Sequence, residues 1–181
     1  MFNLFRKNPV DDRARTAYGV VVAAARRPVF YTTYAAPDTV DGRFEVLTLH
    51  MYLVLRRLKR QGPQADEFAQ RLFDLFFDSM DGTLRELGVG DMTIGKKVRG
   101  LAEAFYGRVG AFEDAFGAEG GAQPALASAI ARNVFERDAA PGADAIAAYA
   151  IAQETAFGDL AVDQFLAADF TFLDPQTDAA P

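Results

Sequence analysis

The residue types with the clearest catalytic capacity in this 181-residue sequence are one histidine and a small number of serines. A histidine acts as a general base, or activates a nucleophile, only when a hydroxyl or thiol lies beside it. The sequence has no cysteine, and neither Ser79 nor Ser128 has the glycine neighbours of a hydrolase nucleophile elbow. The pattern therefore does not predict a catalytic triad around the single histidine, His50.

The sequence also gives little support for a metal site or a phosphate-binding loop. One histidine and no cysteine exclude a multi-histidine or thiolate metal site. Asp74, Asp78 and Asp81 recur at helical spacing, but a hard cation there would need facing carboxylates on a second helix. Gly90 to Lys97 approaches the spacing of a phosphate loop, yet it ends in lysine and follows a helix rather than a strand. We predict no cofactor and no metal, and a binding protein rather than an enzyme.

A basic strip on the second predicted helix has an unusual position. Arg43, His50 and Arg57 recur every seven residues and are flanked on both sides by apolar residues. Charged residues of a surface helix normally lie opposite its apolar face. Two explanations remain open. Either the arginines are paired internally with carboxylates, for which the next helix is the obvious source, while His50 is hydrogen-bonded in the core, or the strip lines a groove.

A stripe of small residues on the fourth predicted helix also has two explanations. Gly100, Ala104, Gly107 and Ala111 lie side by side along that helix. Small residues at this spacing let the backbone of another helix approach closely. The stripe is either filled by one of the chain's own helices or is a docking groove for a partner's helix, with Lys97 and Arg108 at its edges.

The elements that must position these residues are all helical. Helical periodicity and stop signals predict an all-α, single-domain bundle of about six or seven helices over residues 1–181, without strands or repeats. Val29 to Tyr31 is predicted to be extended or irregular, and residues from Asp174 onward are predicted to be loose. The predicted helices cover residues 9–27, about 39–61 with Gly62 as the stop, 63–87 with Gly88 as the cap, about 93–117 capped by Asp91 or Thr93, about 124–137, and about 144–155 and 159–168 as one bent helix or two.

Charge is distributed unevenly along the chain. Residues 1–111 contain 17 Lys+Arg and 13 Asp+Glu, a net of +4, whereas residues 112–181 contain 2 and 12, a net of −10. The acidic half disfavours direct binding of DNA, while the basic half is compatible with a ribosome or an anionic bilayer. No apolar run approaches the roughly 20 residues of a membrane span, and the start lacks a signal-peptide apolar core.

Residues 28–118 resemble the ubiquinol–cytochrome c chaperone family. The Arg-Glu-Leu-Gly-Val-Gly-Asp run of residues 85–91 and the Phe-Tyr-Gly-Arg run of residues 105–108 are the most specific features. Residues 119–181 are acidic and carry no assignable motif. The resemblance rests on Phe30-Tyr31, Pro37 to Phe44, Leu49-His50, Arg56 to Lys59, Ala69 to Asp74, Asp81, Leu84 to Asp91, Gly95 to Val98 and Ala104 to Arg108.

The resemblance implies a non-enzymatic assembly factor of the cytochrome bc1 complex whose client is newly made cytochrome b. For a bacterial relative we expect a cytoplasmic protein, peripheral to the inner membrane, that contacts the membrane surface or the ribosome. The alternatives are a helical enzyme or ligand-binding protein with a pocket around His50, and a purely structural subunit. The predicted partner-binding residues are Asp41, Arg43, Phe44, His50, Arg57, Asp81, Arg85, Glu86, Asp91, Lys96, Lys97, Tyr106, Gly107 and Arg108.

Overall fold

The chain folds as an all-α bundle in a computed structural model that describes residues 9–176. Within that range there are six helices of 13 to 26 residues, two short helices and no strand, as the sequence predicts. Among the same residues, no helix is long and apolar enough to cross a bilayer. The helices are α1 (Pro9–Ala25), α2 (Val29–Thr32), α3 (Val40–Leu58), α4 (Pro63–Glu86), α5 (Asp91–Phe116), α6 (Ala122–Val134), α7 (Pro141–Gly158) and α8 (Val162–Leu166).

Helix α3 occupies the centre of the bundle and contacts α1, α4, α5, α6, α7 and α8. Its side chains are buried on nearly every side, including Val46, Leu49 and Val54, which are not accessible to solvent. A helix that is apolar all round belongs in the interior. This central position explains why apolar residues flank the strip of Arg43, His50 and Arg57 on both sides.

Several predicted helix ends differ from the structure. Val29 to Tyr31 form a one-turn helix, not an extended segment. Helix α3 ends at Leu58, and Arg60, with φ of 62°, takes the left-handed conformation two residues later. Gly62 is instead the residue that precedes α4. Local patterns place helix ends less well than helices because the ends depend on tertiary contacts.

The ends of α5 and α7 also differ from expectation. Gly90 precedes α5 without a side-chain cap, so neither Asp91 nor Thr93 has the predicted capping role. The predicted bent helix is two separate helices, α7 and α8. Gly88 does end the preceding helix, as predicted, with φ of 77°.

The segment after α8 packs back on the bundle. Phe170 and Phe172 are buried, and the Arg27 guanidinium donates a hydrogen bond to the Phe172 carbonyl at 3.2 Å. The Tyr34 hydroxyl donates to the Gln176 carbonyl at 2.8 Å. Residues 174–176 are therefore held in place, contrary to the prediction of a loose tail; the rest of that predicted tail lies outside the described residues.

An aromatic cluster fixes α5 against α4. The rings of Phe73, Phe76 and Phe77 on α4 and Phe105 on α5 have centroids 4.7 to 5.9 Å apart, in tilted or edge-to-face arrangements. Such pairs contribute roughly 0.5–1.5 kcal/mol each beyond the area they bury. The cluster holds α5 so that Gly100, one and a half turns before Phe105, borders a groove.

Candidate functional site

An open groove lies between α1, α3, α4 and α5 and has a volume of about 380 Å³. Most of its lining is apolar, and charged residues occur among the lining only in small number. This composition is typical of sites that bind apolar partners while a few polar groups fix orientation. The lining residues are Tyr18, Val22, Ala25, Arg26, Tyr31, Val40, Asp41, Arg43, Phe44, Leu47, Ser79, Met80, Thr83, Leu84, Lys97, Gly100 and Leu101.

Four of the predicted partner-binding residues border this groove. Phe44 lies buried in its wall, and Asp41, Arg43 and Lys97 are exposed. Arg43 is held by Asp38, whose Oδ1 lies 2.6 Å from the Arg43 Nε, and its guanidinium lies 5.1 Å from the centre of the Tyr31 ring. The structure thus brings together residues from three helices into one half-open, apolar site with charged edges.

His50 lies in the core and not in a groove. Its ring is fully buried, with Nδ1 2.8 Å from the Val46 carbonyl oxygen and Nε2 3.2 Å from the Tyr149 hydroxyl. Burial lowers the pKa of His50 from 6.5 to about 4, because an apolar environment disfavours the imidazolium ion. Of the two explanations, the core histidine is the one the structure shows. A partner cannot touch His50, so the prediction of His50 as a partner-binding residue is wrong for this structure.

The burial of His50 makes stability sensitive to mild acid. Below pH 6.5 the unfolded chain binds a proton on His50 that the folded chain does not, so stability falls as pH drops toward 4. The loss from this residue should reach roughly 3 kcal/mol at pH 4 and be absent above pH 7. Urea denaturation at several pH values measures it.

The matched control for this prediction is His50→Gln. Glutamine keeps hydrogen-bonding capacity but does not titrate, so the variant should lack this part of the slope between pH 6.5 and 4.5. A hydrogen bond from Lys59, together with other neighbours, lowers the pKa of Glu113 to about 2. The contribution of Glu113 to stability is therefore lost only below pH 4.5, outside most of this range. Identical slopes for the two proteins would contradict a neutral, buried His50.

Arg57 holds the end of another helix. Its Nε donates to the Phe157 carbonyl at 2.8 Å and its guanidinium NH2 group donates to the Leu160 carbonyl at 2.6 Å. These are carbonyls at and beyond the C-terminal end of α7, where a cation also complements the helix dipole. The predicted pairing of Arg43 and Arg57 with acidic residues of α4 is therefore wrong, since neither arginine has such a partner.

Arg108 is also engaged within the fold. Its guanidinium makes a two-pronged salt bridge to Glu45 on α3, with N–O distances of 2.8 to 3.1 Å. Glu45 is only 6% exposed, and burial raises its pKa while Arg108 opposes that rise. Arg108 thus neutralises a buried carboxylate and is not free to meet a partner's charge.

The small-residue stripe of α5 is open at its glycines. A Cβ atom built at Gly100 or at Gly107 has no described atom within 4 Å outside its own helix backbone. Tyr106 beside it is 61% exposed. The internally packed helix pair is therefore wrong for these positions, and Gly100 instead borders the groove.

The Arg-Glu-Leu-Gly-Val-Gly-Asp run forms the turn between α4 and α5. Arg85 bridges Asp81, 2.6 Å away, and Asp91, 2.5 Å away, across that turn. Glu86 and Lys96 are exposed and make no ion pair with a described residue. The run therefore has a structural explanation, because Arg85 joins the last turn of α4 to the first turn of α5.

Sequence reasoning missed the contribution of α1 and α2 to the groove. Tyr18 comes from α1, Arg26 from the turn that follows α1, and Tyr31 from α2. No local pattern distinguishes them, since Arg26 reads as an ordinary cation at a helix end. Arg56, near the end of α3, is likewise held within the fold by ion pairs with Glu113 and Glu154, which no local pattern indicates.

The fold is an all-α bundle with an open apolar groove that has charged edges, and its histidine is buried with two hydrogen-bond contacts. Such a bundle is typical of proteins that bind another molecule. Comparison with known sequences makes this assignment more specific. The sequence model of the ubiquinol-cytochrome C chaperone family matches residues 32–172, and the chain belongs to that family. The match extends beyond residue 118, where the recognisable motifs end.

Two relatives are informative. The crystal structure of the Cbp3 homolog from Brucella abortus has a TM-score of 0.82 and 35% sequence identity, covering 94% of this chain and 93% of that one. The ubiquinol-cytochrome-c reductase complex assembly factor 1 of Xenopus laevis is 21% identical over 108 residues, which is 60% of this chain. The chain spans about half, 52%, of the length of that relative.

Proposed function

We propose that this protein is a non-enzymatic chaperone that holds newly made cytochrome b during assembly of the ubiquinol–cytochrome c reductase complex. Family membership and the assembly role in the name of the Xenopus relative support a role in assembly of that complex. The observation that carries the proposal is the half-open apolar groove between α1, α3, α4 and α5. The client lies across this groove.

The chemistry of such a client matches the groove. A membrane protein outside the bilayer exposes apolar helices that would otherwise aggregate, and a contiguous apolar surface on a partner shields them. Charged groove edges keep the unoccupied site hydrated and bind the polar ends of a membrane segment. A closed pocket with converging polar groups around His50, which the enzyme alternative requires, has no support in the contacts of His50.

The protein acts, in this proposal, on the cytoplasmic side of the inner membrane, at its surface. Cytochrome b is inserted there, and a holding protein must reach the client before its helices pair with one another. The apolar groove and the basic half of the chain both suit work beside an anionic bilayer.

Blocking the groove should abolish client capture. Gly100 borders the groove and has open space at its Cβ position, so Gly100→Trp places an indole where the client would lie. We expect at least a tenfold fall in cytochrome b recovered with the tagged chain from membranes, without loss of helical content. The matched control is Gly95→Trp, on the same helix, also open at its Cβ and not part of the groove.

Site-specific crosslinking tests the same contact directly. A photoreactive amino acid at position 43 or 97, both in the groove lining, should give adducts with cytochrome b in living cells. Position 132, exposed on α6, serves as the negative control. Absence of cytochrome b adducts from both groove positions, together with full capture by Gly100→Trp, would overturn the proposal.

A further inference from the structure

The charged residues that line the groove are mostly cations, although the chain as a whole is acidic. The lining contains three cations, Arg26, Arg43 and Lys97, and one carboxylate, Asp41. The full chain, in contrast, has a net charge of −6. Arg43 already has Asp38 as a partner. Arg26 and Lys97 make no ion pair and no side-chain hydrogen bond with any residue between 9 and 176. Unpaired surface cations are common, but these two border an apolar surface.

A hydroxyl group in the same groove also lacks a partner. The Tyr18 hydroxyl oxygen is buried and has no hydrogen-bond partner among the described residues. The Ser79 side chain opposes the rise that burial causes in the pKa of Tyr18, but the two hydroxyl groups do not meet hydrogen-bond geometry. Buried polar groups in folded proteins are nearly always satisfied. The Tyr18 hydroxyl is therefore a donor that an acceptor on a bound partner would satisfy.

Arg26 and Tyr18 line the same groove. The Arg26 charge lowers the pKa of Tyr18 against the rise caused by burial. A groove that offers a guanidinium and a hydroxyl donor can bind a carboxylate, because hydrogen bonds with charged partners are about twice as strong as neutral ones. Lys97 adds a second cation from α5.

We propose, as a refinement that rests on the proposed function, that the groove selects an apolar helical segment carrying a carboxylate side chain. Arg26 and Lys97 supply the cations for that carboxylate, and the Tyr18 hydroxyl donates a hydrogen bond to it. The apolar remainder of the segment lies on the groove residues contributed by α3 and α4. Gly100 and Ala25, both small, let the helix backbone come close.

A carboxylate preference gives the chaperone a way to choose among apolar segments. Apolar surface alone binds any hydrophobic helix with similar strength, because the hydrophobic effect is not directional. Binding of an apolar segment removes water from the two cations, which costs desolvation free energy. A segment with an acidic group opposite the cations offsets that free energy, and a segment without one does not. The chain would thus hold particular client segments rather than every nascent helix.

The test compares two synthetic helical peptides with the full-length protein. Both are apolar, dye-labelled and identical except for a single central Glu in one and Gln in the other. Binding is measured by fluorescence anisotropy at low salt and at high salt. We expect the Glu peptide to bind about tenfold more tightly at low salt, which corresponds to about 1.4 kcal/mol, and the difference to shrink at high salt because of screening.

Three variants identify the groups responsible. Arg26→Gln, Lys97→Gln and Tyr18→Phe should each reduce the ratio of Glu-peptide affinity to Gln-peptide affinity. Arg99→Gln, which alters an exposed cation on the same helix but outside the groove, should keep the preference. Circular dichroism melts show whether each variant is folded, and Tyr18→Phe should fold at least as well because it removes an unpartnered hydroxyl.

The outcomes separate this proposal from the proposed function. Equal binding of both peptides, each lost in Gly100→Trp, would overturn the carboxylate preference and leave the groove as the client site. A preference untouched by all three groove variants would overturn the assignment of Arg26, Lys97 and Tyr18. Displacement of the Glu peptide by a long-chain fatty acid, with no difference between the peptides, would overturn it in favour of a lipid ligand. Binding of neither peptide, with client capture intact in Gly100→Trp, would overturn both.

Discussion

Gly42→Ala is expected to lower the free energy of unfolding by about 3 kcal/mol, a cost at the upper end of overpacking. A Cβ atom at position 42 would lie 2.0 Å from the Pro37 carbonyl oxygen and 2.9 Å from the Pro37 carbonyl carbon. Real Cβ atoms do not approach backbone this closely, so the turn before α3 must move. Urea denaturation of the two proteins measures this loss of stability. The midpoint temperature of thermal unfolding should fall by roughly 10 °C.

The position of Gly42 connects this strain to the groove. Gly42 lies between Asp41 and Arg43, and its backbone N–H donates to the Thr39 side chain at 3.1 Å to cap α3. Displacing Pro37 also displaces the start of α3, and with it two charged residues of the groove. Cytochrome b capture should therefore fall even at temperatures where Gly42→Ala remains folded.

The matched control is Gly82→Ala in α4. Gly82 lies inside a helix and its Cβ position meets no described atom within 4 Å outside that helix's backbone. Alanine there should stabilise the protein by roughly 0.5–1 kcal/mol, because glycine loses more conformational entropy in a helix. Equal effects of the two substitutions would contradict the close approach at Pro37.

Arg108→Met is the second substitution with a large expected effect. It leaves the Glu45 carboxylate, 6% exposed, without the two-pronged partner that neutralises it. Removing one member of a buried ion pair typically costs 3–5 kcal/mol. Because the Arg108 side chain is 29% exposed, we expect about 3 kcal/mol, measured by urea denaturation at pH 7.

The pH dependence of this variant identifies the cause. Burial already raises the pKa of Glu45, and removal of Arg108 raises it further. A folded-state pKa above the unfolded value means that the folded chain binds a proton more readily, so lowering pH favours it. The deficit of Arg108→Met relative to the natural chain should therefore shrink as pH falls from 7 toward 5.

Two further variants complete this experiment. Glu45→Gln together with Arg108→Met removes both charges, and it should regain much of the stability because no buried charge remains. Arg85→Met removes an exposed pair and should change stability far less than Arg108→Met does. A double variant no more stable than Arg108→Met would show that packing of the long side chain, and not the charge of Glu45, sets the cost.

The sequence alone was sufficient for the fold class, for the family and for the approximate extent of the long helices. Helical periodicity is a local property, and helix α4 is recovered almost residue for residue from Pro63 at its start and Gly88 after its end. The seven-residue spacing likewise places Arg43, His50 and Arg57 on one strip of α3. These features depend only on neighbours along the chain.

The environments and contacts of those three residues were decided by tertiary structure. Arg43 borders the groove, His50 is buried against Tyr149, and Arg57 bonds to carbonyls at the end of α7. Spacing along a helix gives a direction about its axis but says nothing about what lies in that direction. The groove itself is lined by residues of five helices, α1 to α5. Its volume, its unpaired cations and the buried Tyr18 hydroxyl therefore arise only when those helices pack.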